Sequence, residues 1–222
     1  MDEKEKIKTG LDLRKKELKS IRVWIWGLLV IGCVTAFFFL YRSLVLFPQW
    51  QIQKNEQSAI DSLKKICSFE SSWRGNDADG NGYIDFWTAD VAGFRFIEDC
   101  AGNWVCYMSA PLAKADAKPL QGIYSRNSLP PKPMPVFGYL FQTIFLDNSG
   151  NPYQKDYDGD GKCYTNPIRY GFCAFPARYG ETGKQTFIIN EEGWVYCKDI
   201  GGASVDIWPG KNPEENGWRK AD

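Results

Sequence analysis

The chain has 222 residues, with 27 Lys and Arg against 27 Asp and Glu, and no histidine. The missing histidine removes the commonest general base and the commonest zinc ligand. Charge is split along the chain: residues 1–47 hold 9 basic and 5 acidic side chains, residues 48–222 hold 18 and 22, and the acidic bulk argues against a nucleic-acid partner.

Residues 1–22 form a basic leading segment. Ile7, Leu11, Leu18 and Ile21 fall at near-helical spacing, and Asp12 and Lys16 make an i,i+4 pair. This fits either a short helix lying on a membrane or a solvated tail.

Val23–Tyr41 follows, 19 residues without a charge. At 1.5 Å per residue that length crosses the hydrocarbon layer. Arg42 interrupts and Ser43–Phe47 is apolar again, so residues 23–47 are assigned to the transmembrane helix. Eight Lys and Arg precede the span, which puts the N-terminus in the cytoplasm and residues 48–222 outside it. A bacterial inner (cytoplasmic) membrane with a periplasmic C-terminal domain is expected. Trp24 and Trp26 on one side, Tyr41 and Trp50 on the other, suit interfacial belts. Val30-Ile31-Gly32-Cys33 loosely fits a lipidation box, but the chain stays hydrophobic after Cys33, which favours a retained anchor over a cleaved leader. Gly27, Gly32 and Ala36 offer small residues for close packing against other membrane helices.

Beyond Pro48, Ile52, Ala59, Ile60, Leu63, Ile66 and Cys67 recur at spacings of 3, 4 and 7, the stripe of an amphipathic helix. Further on the pattern turns to strands. Thr186–Asn190, the turn Glu191-Glu192-Gly193 and Trp194–Lys198 read as a hairpin. Ile168–Pro176 is another strand, and Tyr139–Leu146 a strand with a helix competing. Pro130, Pro131, Pro133 and Pro135 make a stiff exposed loop. Residues 201–222 lack periodicity and are expected to wrap the surface.

Six cysteines lie beyond the apolar run, and an even count in an exported domain points to disulfides. Six allow 15 connectivities. One arrangement joins Cys100 to Cys106, Cys163 to Cys173 and Cys67 to Cys197, the last tying helix to sheet, each worth roughly 2–4 kcal/mol.

Asp77-x-Asp79-x-Asn81-Gly82-Tyr83-x-Asp85 has the oxygen spacing of a calcium loop, with Tyr83 offering its carbonyl. Asp156, Asp158, Asp160 and Lys162 repeat its first half. Position 12 would be Thr88 or Pro167 where a bidentate Glu is expected, and Asp90 is a substitute in the first loop. An Asx-rich connecting turn explains the same residues. No nucleophile elbow, phosphate loop or metalloprotease motif occurs, and the adjacent pairs Glu98/Asp99 and Glu191/Glu192 suit turns better than acid–base work, so no enzyme is expected. Trp73, Trp87, Trp104 and Trp194 are aromatics a glycan-binding head would use.

Asn55-Glu56-Gln57-Ser58-Ala59-Ile60-Asp61-Ser62-Leu63-Lys64-Lys65-Ile66, followed by Asp79-Gly80-Asn81-Gly82, resembles the exit of the long N-terminal helix in bacterial type IV pilin-like and pseudopilin-like proteins. Tyr170–Gly180, Thr186–Tyr196, Trp208, Asn212-Pro213 and Gly217-Trp218 are similar to the C-terminal region of a related group of secreted bacterial proteins of unknown role. The glycine that prepilin peptidase cleaves and the F-T-L-I-E that follows it are absent around Val23–Val34. The resemblance implies an α+β protein: a long N-terminal membrane helix continuing into an amphipathic helix packed on an antiparallel sheet. The function expected is a non-enzymatic structural or interaction subunit of a membrane or envelope assembly, with the bilayer and other envelope proteins as partners. The alternative is a tethered calcium- or glycan-binding module.

Overall fold

A computed structural model of the chain describes residues 3–42, 47–98, 103–120, 130, 132–154 and 164–221. It divides into two units, Met1–Trp50 and Gln51–Asp222.

The first unit is dominated by α1 (Glu3–Tyr41), one helix of 39 residues. The basic segment and the apolar run therefore share a single helix. Its stretch Trp24–Tyr41 has a mean hydropathy of 2.0 and no buried residue, and is long and apolar enough to cross a membrane. The expected continuation of this helix into the next falls on residues 43–46, outside the described residues.

The second unit is a mixed helix and sheet fold. From Gln51 onward, α2 (Phe47–Asn76) follows the predicted stripe: Ile52, Ala59, Ile60, Leu63 and Ile66 are all buried. The stripe runs on through Glu70 and Trp73, which are also buried. Asp77 ends the helix in the left-handed region, φ 44°, and Ala78 N–H bonds back to the Trp73 carbonyl, a Schellman-type stop.

Two short strands, β1 (Phe86–Trp87) and β3 (Thr165–Asn166), form an antiparallel pair. Two single-turn helices, α3 (Gly93–Phe96) and α4 (Ala110–Ala113), place Phe94 and Leu112 in the core. The main sheet contains β2 (Tyr139–Thr143), β4 (Gly171–Pro176), β5 (Thr186–Asn190), β6 (Tyr196–Lys198) and β7 (Arg219–Lys220). It is antiparallel throughout, in the order β2-β4-β5-β6-β7.

The register sorts side chains to two faces. Phe141, Ala174, Phe187 and Cys197 lie in one cross-strand row, buried in the same cluster as Ala59, Ile60, Leu63 and Ile66 of α2. Cys173, Ile188 and Tyr196 face the other way and are covered by Ile144, Tyr153, Trp208 and Trp218. Both faces are thus closed, which is why these strands read as near-continuous apolar runs. Tyr139–Thr143 is a strand, not a helix, because β4 supplies its ladder. The C-terminal segment is not mere wrapping: a 3₁₀ turn at Pro213–Asn216 delivers β7 to β6.

Candidate functional site

The acidic turn follows directly on α2. Gly82 N–H donates to Asp77 Oδ2 at 3.1 Å, and Tyr83 N–H to Asn81 Oδ1 at 2.8 Å. The Asn81 amide donates to Asp79 Oδ2 at 3.0 Å and reaches Asp85 Oδ2 at 3.5 Å. The turn is therefore pinned by its own side chains. Among the described residues, no three Asp, Glu, His or Cys side chains converge into a group that could hold a metal ion. Two oxygens nevertheless sit shielded from solvent with no donor, Asp77 Oδ1 and Asp79 Oδ1. Burial first, then the neighbouring Asp85 charge, pushes the Asp79 carboxyl up to about 6.

Thr88 and Asp90, the residues near position 12 of the first loop, are engaged elsewhere. Thr88 is fully buried and its hydroxyl donates to the Tyr164 carbonyl. Asp90 is turned into a different network. Asp156, Asp158, Asp160 and Lys162 of the second loop lie outside the described residues.

Beneath the turn is a carboxylate that spacing arguments passed over. Glu70 is fully buried; its Oε2 accepts Trp87 N–H at 3.0 Å and its Oε1 has no donor. Burial holds its carboxyl well above the usual range, with Asp85 adding to the effect. Its place on the apolar stripe, four residues after Ile66 and three before Trp73, was the available signal.

Asp90 and Asp116 form a second hidden network. Asp116 accepts Val91 N–H at 2.7 Å, Ala92 N–H at 2.8 Å and Lys118 N–H at 2.9 Å. Asp90 accepts Gly93 N–H at 2.9 Å, Leu120 N–H at 2.6 Å and the Trp87 indole N–H at 3.3 Å. Burial, then the facing Asp90 charge, pushes Asp116 up to about 8. Each Asp is flanked by Ala or Val, not by turn formers, which is a weak sign of a buried carboxylate.

The expected Cys67–Cys197 bridge is not formed; Cys67, Cys106, Cys173 and Cys197 are free thiols, while Cys100 and Cys163 lie outside the described residues. The register explains this. Cys67 Sγ sits 3.8 Å from the Asn190 carbonyl, at one end of β5. Cys197 pairs across from Phe187, three residues away, and lines a cleft beside Ile60. Seven residues of helix separate Ile60 from Cys67, about 10 Å, and a disulfide needs Cα atoms within about 7 Å. Cys173 projects to the opposite face of the sheet. Burial pushes the Cys67 thiol up to about 11 and Cys173 to about 12, so neither is an activated nucleophile.

A family model described as "Protein of unknown function (DUF2950)" matches residues 48–219. The chain belongs to this family. No curated protein and no solved structure matches it. The DUF2950 region coincides with the globular unit and excludes α1.

Within the DUF2950 region, Trp73 and Trp87 are core residues, their rings 4.9 Å apart, and drop out of the glycan reading. Trp104 and Trp194 are each 47% exposed, the second beneath the Lys220 ammonium at 4.2 Å. Glu191 accepts Tyr170 N–H, and Asp99 lies outside the described residues. A cleft of about 440 Å³ runs between α2 and the β6–β7 edge, lined by Gln53, Glu56, Gln185, Cys197 and Arg219. On α1, a Cβ added at Gly27 or Gly32 would meet nothing within 4 Å among the described residues beyond the helix's own backbone, and Ala36 is exposed.

Proposed function

We propose that this DUF2950 chain is a non-enzymatic, single-pass membrane protein whose globular head serves as a structural or interaction subunit of a bacterial envelope assembly. The observation that carries the reading is the apolar surface of Trp24–Tyr41: none of it is buried among the described residues, and a bilayer or partner helices would cover it. The charge split supports a cytoplasmic basic end and an exported acidic head. The pilin-like resemblance supports a helix-plus-sheet head of the kind the chain has, and the open face at Gly27, Gly32 and Ala36 suits contact with neighbouring helices.

The test is protease treatment of intact spheroplasts, then crosslinking and affinity purification from native membranes. Cleavage of residues 48–222 with retention of α1, and specific crosslinks to envelope proteins, are expected. A protected head, or a mature chain that begins at or after Cys33, overturns the reading.

The second reading is calcium binding at the acidic turn. Two shielded oxygens without donors on the acidic turn favour it, Asp77 Oδ1 and Asp79 Oδ1. Unpaired buried oxygens of this kind are what a hard cation satisfies. Calorimetric titration of the full chain in detergent decides it. Heat that disappears with Asp79→Asn supports calcium; no heat and no thermal shift at millimolar calcium removes it.

A further inference from the structure

The two-residue loop that opens β2 has an unusual occupant. Val136 and Tyr139 exchange backbone hydrogen bonds at 3.0 Å, leaving Phe137 and Gly138 as the turn. Both have positive φ, 50° and 75°. Such a turn favours Asn-Gly, because both central residues are left-handed. Gly138 is needed there: a Cβ would lie 2.7 Å from Thr182 Cβ. Phe137 answers no comparable demand. It is 58% exposed in a backbone region that bulky side chains avoid, and Met134, on the approach to it, is 56% exposed. The fold gains neither burial nor backbone ease from an aromatic at this place, so its use lies outside the chain.

The position of the turn identifies the occupant. Gly138 is wedged between Thr182 and the Asn55 amide, and Asn55 in turn donates to the Thr182 carbonyl and accepts from Gln51. Phe137 therefore projects from the end of the head where the chain enters it. Asn55 follows Tyr41, the last residue of the apolar stretch, by 14 residues. That is at most about 50 Å of extended chain and about 21 Å of helix. Prolines at 130, 133 and 135 stiffen the approach, and exposed Lys132 brings a positive charge to the same loop.

We propose that Phe137, with Met134 behind it, inserts into the headgroup layer of the bilayer and braces the head against the membrane. This rests on the membrane-anchor reading above.

The experiment places the photoreactive analogue p-benzoylphenylalanine at position 137 of the full chain in phosphatidylethanolamine and phosphatidylglycerol liposomes. Position 168 is the control: Ile168 is 68% exposed but belongs to the opposite end of the sheet, just before Gly171, whose partner is Asn190. A lipid adduct at 137 that is absent at 168 is the expected result. Failure of the chain to float with the liposomes overturns the anchor and this proposal with it. Flotation without a lipid adduct at 137, or with equal adducts at both positions, overturns the proposal alone. Phe137→Asn is the second arm: it relieves the left-handed backbone and should raise the melting temperature by about 2–4 °C. A lower melting temperature would show that Phe137 serves the fold and would also overturn the proposal.

Discussion

Asp90 and Asp116 face each other in the interior from segments 26 residues apart, and together they accept six N–H groups. Burial first, and then the nearness of the two charges, lets Asp116 hold its proton into the neutral range. They fasten the start of α3 and the segment at Lys118 and Leu120 to the indole of Trp87.

Asp116→Ala should therefore be severe. It strands two buried backbone donors, Val91 and Ala92, at roughly 1–3 kcal/mol each, and a third at exposed Lys118, so a loss of about 3 kcal/mol is expected in urea unfolding of the full chain. Asp116→Asn keeps an acceptor and resembles the protonated acid, and should cost about 1 kcal/mol. Equal effects of the two variants would sink the account of the network.

Stability should fall as pH rises. The folded carboxyls of Asp116, near 8, and Asp79, near 6, lie above the unfolded value near 4. Glu70 is raised in the same sense. A raised carboxyl binds its proton more tightly in the fold, so its stabilising effect is complete below about pH 4 and is lost by about pH 8. Asp147 and Asp206 are lowered and oppose this, but both are near the surface and count for less. Melting temperatures measured from pH 5 to pH 9 should decline, and Asp116→Asn should flatten the upper part of the curve.

Two glycines should separate crowding from backbone conformation. A Cβ at Gly93 would lie 2.4 Å from the indole of Trp87, which is fully buried and cannot yield. Gly93→Ala should cost about 3 kcal/mol, at the upper end of overpacking. Gly193 has open space and φ 78°, so Gly193→Ala should cost about 1 kcal/mol, the left-handed penalty alone. Denaturant midpoints give the order.

Peptide mapping of the unreduced protein should find no Cys67–Cys197 link. A linked peptide in good yield would mean that the helix slides by about two turns along the sheet, contrary to the bonds from Lys184 and Gln185 N–H to Glu56.

The sequence was most informative where one local rule sufficed. The apolar stripe from Ile52 to Ile66, the Glu-Glu-Gly turn and the strands on either side of it are each set by periodicity and turn chemistry within about fifteen residues. β7 was not legible, because two exposed residues carry no pattern and their partner β6 lies more than twenty positions upstream. β1 and β3 were not legible either, because each is two residues long and its partner lies about eighty positions away. Glu70, Asp90 and Asp116 look like ordinary surface acids until distant backbone donors are brought to them. The cysteine pairing failed for a related reason: residue type suggested a bridge, but the helix register against β5 decides which thiols meet. The acidic turn was found correctly as a turn, while its Asx bonds were as foreseeable as a cation.

The two flanks of the main sheet carry a consequence for self-association. Along β2, Phe141 N–H donates to the Ala115 carbonyl and its own carbonyl accepts Ala117 N–H, so that margin is occupied by a passing loop. The other margin is β7, two residues long and both cationic. Neither offers the free, uncharged ladder that strand donation between copies requires. Polymers of these heads would have to form through contacts other than the two margins of the main sheet.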